Sequence, residues 1–178
     1  MQALDGKAPL LITAHRHQDI LAALRIGAEF KLKIVLDGAA DAHLLLKEIK
    51  KSGYPVIVHA TMARASEETE NLGMETASKL KAAGIPFALQ SGYESYVPKT
   101  RVVLWEAGVA VGHGLPTDAA LKALTIDAAK LLGIDGRVGS LVAGKDADLA
   151  LFDGDPFEYT THCVGTVIDG VQFTGAPR

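Results

Sequence analysis

The stretch PLLITAHRHQDILAALRIGAEFKLKIVL, residues 9–36, contains the pattern that decides the fold. It opens with Pro9–Thr13, a short continuous apolar run of the kind found in strands buried on both faces. Asp19–Phe30 follows with apolar residues at helical spacing, and Lys33–Leu36 is a second apolar run. The order strand, helix, strand predicts a parallel pair of strands joined by a crossover helix.

The same unit repeats along the first two-thirds of the chain. Further strands are predicted at Pro55–Val58 and Ile85–Leu89, and further helices at Ala42–Lys51, Asn71–Ala83 and Arg101–Val111. Four strand–helix units in a row predict four parallel strands with right-handed crossovers. Two more helices are expected at 118–124 and 126–132, with Thr125 as the N-cap of the second.

The last part of the chain has the turn residues of a small antiparallel sheet. VGSLVAGKDADLALFDGDP, Val138–Pro156, predicts two short strands, 141–143 and 149–152, around a tight turn. Asp169-Gly170 between the apolar runs 164–168 and 171–173 predicts a second hairpin. The many aspartates here are interpreted as turn residues in preference to metal ligands.

Composition narrows the class of protein. The chain has 178 residues, of which 48% are apolar and 22% charged, with a formal charge of −3. This balance is typical of a globular protein and argues against nucleic-acid binding, since no basic run is present. A single cysteine, Cys163, fits a reducing compartment. With no membrane-length apolar run and no signal-peptide pattern in the first residues, a cytoplasmic location is expected.

Two stretches resemble a known family. TIDAAKLLGIDGRVGSLVAGKDADLALFDGDP (Thr125–Pro156) resembles the C-terminal signature of the amidohydrolase superfamily, in its imidazolonepropionase-like and prolidase-like branch. AHRHQDILAALRIGAEFKLKIVLDGAADA (Ala14–Ala42) resembles the fifth and sixth barrel strands of that branch. The resemblance implies an α/β fold: a partial (β/α)8 TIM barrel, about strands five to eight, over residues 1–135. Residues 136–178 would form the C-terminal part of a β-sandwich. A full barrel needs about 250 residues, so about half is expected here.

The resemblance also implies a metal site at the carboxyl ends of the barrel strands, with zinc as the usual cofactor. His15 matches the histidine ligand that follows strand five, and His17 is a second candidate two residues on. The ligand position after strand six holds Gly38 in place of a histidine. The preceding residue, Asp37, could bind a hard metal through a carboxylate oxygen. The aspartate expected after strand eight is replaced by Gly92, and Glu94 is the only nearby substitute for the proton-transferring acid.

Two further residues are candidates for substrate binding. His59 follows the third predicted strand, and Arg64 lies in the loop after it, where a guanidinium could anchor a substrate carboxylate. For each residue, an ordinary loop role is the alternative.

Two functions follow as hypotheses. In the first, the chain is the C-terminal part of a metal-dependent amidohydrolase that hydrolyses non-peptide or dipeptide C–N bonds. The chain alone would then be inactive and would not hold zinc tightly. In the second, it is a degenerate, non-catalytic homologue that binds a small molecule or serves a structural role. Whether the chain is an enzyme therefore stays open at this point.

The expected partners are a small-molecule substrate and either the missing N-terminal half or a second copy of the chain, because half a barrel leaves strand edges unpaired.

Overall fold

The computed structural model describes residues 3–63, 65, 67–92 and 99–174. It is an α/β structure with one parallel and one antiparallel sheet. Its strands are β1 (Leu10–Ala14), β2 (Ile34–Gly38), β3 (Val56–Val58), β4 (Phe87–Ala88), β5 (Leu149–Phe152), β6 (Cys163–Ile168) and β7 (Val171–Thr174). Its α-helices are α1 (His17–Glu29), α2 (Leu46–Ser52), α3 (Thr76–Ala83), α4 (Val103–Gly112), α5 (Thr117–Leu124) and α6 (Ile126–Leu132). No described helix is long and apolar enough to cross a bilayer.

The first four strands form a parallel sheet in chain order, β1-β2-β3-β4. Thr13 lies opposite Asp37, Asp37 lies opposite Ile57, and Ile57 lies opposite Ala88. The carboxyl ends of all four strands therefore meet along one edge, which we call the carboxyl edge. β1 and β4 each have one strand partner, so both outer edges of this sheet are unpaired within the described chain.

The two faces of the parallel sheet differ in burial. Leu36, Val56 and Val58 point to the side of the helices and are fully buried in one apolar core with Ile49 and Leu80. Because side chains alternate along a strand, Thr13, Asp37 and Ile57 lie on the opposite face. Thr13 is exposed there, Asp37 and Ile57 are half-buried, and Leu11 is 49% exposed. We call this second side the open face.

Glycines end three of the helices. Gly53, Gly84 and Gly133 follow α2, α3 and α6 with φ values of 74°, 66° and 71°, the left-handed conformation that closes a helix most cheaply when no Cβ is present. The starts of helices differ more from expectation. α3 begins at Thr76, five residues later than predicted, because the amide and hydroxyl of Thr76 both bond back to the Gly73 carbonyl in a tight turn.

Thr125 lies between α5 and α6 but does not cap the second helix. Its hydroxyl donates to the carbonyl of Leu121 at 2.7 Å, one turn back in α5. The prediction of an N-cap was wrong because the same hydroxyl can satisfy a carbonyl of the preceding helix, and here it does.

The C-terminal sheet has the order β5-β6-β7 and is antiparallel throughout. The Asp169-Gly170 turn joins β6 and β7 as predicted, with φ values of 50° and 79°. The predicted strand at 141–143 is absent: Leu141 is 85% exposed, and β5 pairs with β6 instead. Residues 140–146 turn back on the segment after α6, because Lys145 donates to the Val138 carbonyl at 3.3 Å and Asp146 pairs with Arg137 at 2.6 Å.

Candidate active site

The carboxyl edge collects polar residues from all four parallel strands. His15 follows β1, Gly38 ends β2, His59 follows β3, and Gln90 lies two residues beyond β4. Parallel strands bring their carboxyl ends together, so residues separated by up to 75 positions become neighbours. In α/β folds with parallel strands, ligands bind at this edge.

His15 and Gly38 are in direct contact. Gly38 has a φ of 80°, and a Cβ built on it would lie 2.4 Å from Cε1 of His15 and 3.0 Å from its Nδ1. The imidazole of His15 therefore occupies the space that a side chain at position 38 would need. Position 38 is where the resemblance implies a ligand. The His15 ring fills the space for a side chain there, and the positive φ of Gly38 also disfavours any residue with a Cβ.

Position 92 also has no space for a side chain. The φ of Gly92 is 72°, and a Cβ there would lie 2.7 Å from Cβ of Ala60, which follows β3. A carboxylate at this position would need both a strained backbone and a displaced loop. The two glycines thus do not leave open room at the carboxyl edge.

His59 is buried, and its environment determines its protonation state. Its amide donates to the Gly38 carbonyl at 2.7 Å, and its Nε2 lies 3.3 Å from the hydroxyl oxygen of Thr76. That hydroxyl already donates its single hydrogen to the Gly73 carbonyl at 2.8 Å, so Nε2 of His59 must be the donor to Thr76. Nδ1 then carries the lone pair, and it is buried without a hydrogen-bond partner.

The pKa of His59 is lowered from 6.5 to about 4, chiefly by burial. Backbone hydrogen bonding at Ala60 and Gly73 opposes this shift, and the nearby His15 and His43 add to it. Removal from water is the largest cause, because a buried imidazolium loses its hydration. His59 is therefore a neutral imidazole at physiological pH. Nδ1 of His15 is also buried and has no hydrogen-bond partner.

Asp37 forms a second polar group on the open face. Its Oδ2 accepts a hydrogen bond from the Thr13 hydroxyl at 2.9 Å, and its Oδ1 accepts one from Nε2 of Gln90 at 3.0 Å. The sequence contained no signal for the pairing of Asp37 with Gln90, 53 residues away.

His17 does not share a strand face with His15. β1 ends at Ala14, and His17 is the first residue of α1. Its amide donates to the buried carboxylate of Asp41 at 2.7 Å, and its Nδ1 lies 3.4 Å from the same oxygen. The strand therefore ends before His17. Asp41 instead places a carboxylate at the amino end of α1, where free amides and the helix dipole favour negative charge.

Glu106 is a buried carboxylate that the sequence analysis missed. It lies on α4, and it accepts hydrogen bonds from the amide of Thr61 at 2.7 Å, from the Thr61 hydroxyl at 2.6 Å and from the amide of Met62 at 3.1 Å. These bonds fix the loop that follows His59. A single acid within the apolar run 102–111 was the available signal, because an acid surrounded by apolar residues on a helix needs a buried partner.

The described residues do not supply a complete metal site. Within them, no group of three or more histidine, cysteine, aspartate or glutamate side chains is arranged to hold a metal ion. Zinc sites use three or four protein ligands, whereas the carboxyl edge offers the two imidazoles of His15 and His59. Arg64 and Glu94, the other predicted site residues, lie outside the described residues.

A cavity of about 680 Å³ lies at the opposite edge of the sheet, beside Pro9, Pro55 and Pro86 at the amino ends of the strands. Three exposed lysines, Lys33 among them, line it. It lies away from His15 and His59.

Comparison with known proteins identifies the family. The family model described as "Amidohydrolase family" matches residues 78–173. An imidazolonepropionase of Shewanella baltica (strain OS185) is 42% identical over 77 residues, which are 42% of this chain and 18% of that protein. An imidazolonepropionase of Syntrophobacter fumaroxidans is 38% identical over 79 residues, 44% of this chain and 19% of that protein.

Solved structures match over more of the chain. An amidohydrolase from Thermotoga maritima MSB8 superposes with a TM-score of 0.91 at 34% identity, over 98% of this chain and 45% of that one. A Xaa-Pro dipeptidase with bound methionine has the same fold, with a TM-score of 0.63 at 17% identity, over 96% of this chain and 55% of that one. The chain spans about half the length of these structures and about a fifth of the curated relatives it matches. With the family model covering residues 78–173, this chain belongs to the amidohydrolase family.

Proposed function

We propose that the chain is the C-terminal part of a hydrolase-type protein of the amidohydrolase family. In this proposal β1 to β4 are strands five to eight of a (β/α)8 barrel, with residues 1–135 forming half the barrel. Residues 136–178 form the C-terminal part of a companion β-sandwich. The extended superposition on the Thermotoga maritima amidohydrolase supports this assignment, because nearly all of this chain corresponds to less than half of that one.

The complete protein would hydrolyse C–N bonds of non-peptide or dipeptide substrates. The imidazolonepropionase relatives support a hydrolase of this kind. His15 and His59 would contribute imidazole nitrogens at the carboxyl edge, since both have a buried Nδ1 without a hydrogen-bond partner. Arg64, His17 and Glu94 stay as predictions for substrate binding, metal binding and acid–base chemistry respectively.

We further propose that this chain alone is inactive and does not hold zinc tightly. The contact between His15 and Gly38 carries this proposal. A side chain introduced at position 38 would collide with the His15 ring, so a substitution there cannot simply restore a metal ligand. Position 92 is closed as well, so the donor set of the described residues does not fit a zinc ion without further ligands.

The test is to load the purified chain with one equivalent of zinc and to measure bound metal and amide hydrolysis. We expect no stoichiometric metal after dialysis and no turnover. One tightly bound zinc per chain, lost in a His15→Ala variant, would show that the chain builds a metal site by itself.

A second function is a degenerate homologue without catalysis. The filled space at both Gly38 and Gly92 favours it, because the full-length protein would then lack those two ligands as well. Metal analysis of the full-length protein, with and without His15→Ala, separates the two functions. Equal and negligible metal in both would favour the degenerate homologue, whereas metal that depends on His15 would favour the hydrolase.

The open face and the unpaired edges of β1 and β4 suggest a partner. We propose that the rest of the barrel pairs with these edges in the full-length protein, and that the isolated chain self-associates through the same edges. Exposed apolar residues on the C-terminal sheet, such as Ile168, Val171 and Phe173, would add to this association. Light scattering of the isolated chain should therefore report dimers or larger species, and a monodisperse monomer would contradict the proposal.

A further inference from the structure

We propose that Asp37 is an anionic recognition site for a cationic nitrogen group, an ammonium or amidinium, on the substrate. The inference rests on the proposed function, since it takes the carboxyl edge as the place where substrate binds. It adds a positive charge to the substrate class of that proposed function.

The position of Asp37 is the first step. Asp37 lies opposite Thr13 on β1 and Ile57 on β3, all on the open face, and Gln90 reaches it from beyond β4. The bond between Gln90 and Asp37 has to pass over β3, and it can do so only on the side where both side chains point. Side chains from β1, from β2 and from the segment after β4 therefore converge near the carboxyl edge, on a face that the helices do not cover.

The hydrogen bonds of Asp37 differ from those of the structural carboxylates in this chain. Asp41 accepts the amide of His17, and Glu106 accepts two backbone amides and a hydroxyl of the loop after His59. Such bonds hold the backbone in place. Both recorded partners of Asp37 are side chains, Thr13 and Gln90, so its carboxylate is oriented without serving a backbone segment.

The charge of Asp37 is not compensated by the described residues. Within residues 3–63, 65, 67–92 and 99–174, the recorded ion pairs do not include Asp37, whereas Asp146, for example, pairs with Arg137. Thr13 and Gln90 are neutral, and each occupies one carboxylate oxygen. A carboxylate oxygen can accept about two hydrogen bonds, so both oxygens keep capacity for a forked N–H donor. An amidinium matches this geometry and supplies the missing charge.

The experiment compares a cation with its neutral analogue. Benzamidinium and benzamide have nearly the same shape, and their binding to the 178-residue chain is measured by titration calorimetry and by the NMR signals of the Gln90 side-chain amide. We expect benzamidinium to bind at least about tenfold more tightly than benzamide, the range for hydrogen bonds to a charged group. We also expect it to shift the Gln90 signals.

Asp37→Asn is the informative variant, because asparagine has the same size. Its oxygen can accept from one of the two partners, and its amide group can donate to the oxygen of the other. The variant should bring benzamidinium binding down to that of benzamide. Asp19→Asn, which removes the same charge from an exposed position on α1, should leave the preference unchanged. If the variant fails to fold, Gln90→Leu keeps the carboxylate and should retain the preference for the cation.

Two outcomes would overturn the proposal: a wild-type chain that binds both compounds equally, or an Asp37→Asn variant that keeps the preference for benzamidinium. Neither measurement needs turnover or metal. Failure of the hydrolase proposal would appear as absent activity in the full-length protein, and failure of this one as absent cation preference in the chain.

Discussion

Replacing Gly38 by alanine should destabilise the chain in two separable ways. The residue has a φ of 80°, and a left-handed conformation costs a non-glycine residue about 1 kcal/mol or more. The new Cβ would also lie 2.4 Å from Cε1 of His15, which forces the imidazole to move. Overpacking of this kind adds about 1–3 kcal/mol. We therefore expect Gly38→Ala to reduce the free energy of unfolding by about 2–4 kcal/mol.

A matched control isolates the contact with His15. Gly53 has a φ of 74°, and a Cβ built there would meet no atom within 4 Å, so Gly53→Ala carries only the backbone cost of about 1 kcal/mol. The assay is urea unfolding of both variants at one protein concentration, since self-association would couple to stability. In the double variant His15→Ala/Gly38→Ala the overpacking cost should disappear, and a double-mutant cycle measures that recovery.

Equal loss of stability in Gly38→Ala and Gly53→Ala would refute the reasoning. It would mean that the His15 ring moves away at no cost, and position 38 would then have room for a side chain. The proposal that the ligand position is blocked would lose its main support.

Three further predictions concern the same edge. Gly92→Ala should cost about 2–4 kcal/mol, because its Cβ would lie 2.7 Å from that of Ala60, whereas Gly133→Ala, with a similar φ and open space, should cost about 1 kcal/mol in the same urea assay. Since the pKa of His59 is lowered from 6.5 to about 4, the unfolded chain binds more protons between these values. Stability should be complete above pH 6.5 and fall by up to about 3 kcal/mol as pH drops to 4, a loss that His59→Asn should reduce. Glu106→Gln should cost about 1–3 kcal/mol in thermal unfolding, because its amide group can match only part of the donors around the buried carboxylate.

Much of the fold could be predicted because its signals are local. Each parallel strand is a short apolar run, and α2, α3 and α6 each end at a glycine in the left-handed conformation. The errors arose where a polar group had a choice of partner. Thr125 bonds to the preceding helix instead of capping the next, and Lys145 holds a turn where a strand at 141–143 was expected. Such choices depend on what packs nearby, which the periodicity of a sequence does not record.

The sequence identified individual residues of the candidate site but not the contacts between them. The resemblance located His15 and Gly38, but only the structure reveals that the ring of one fills the space of the other. The partners of Asp37 and Glu106 lie 53 and 45 residues away in the chain. Pairings of this length depend on the register of the sheet and on where a helix crosses it, and no spacing rule along the chain contains that information.

The order of the parallel strands also bears on how the chain is made. Because β1 to β4 pair strictly in sequence, each strand that leaves the ribosome finds the exposed backbone of its predecessor already in place. The sheet can therefore grow by addition at one side, and no strand has to wait for a distant segment to be synthesised. At every stage the newest strand adds free amides and carbonyls opposite the unpaired edge of β1, so a ribosome that pauses after β3 or β4 presents a nascent chain with an edge ready to pair with another.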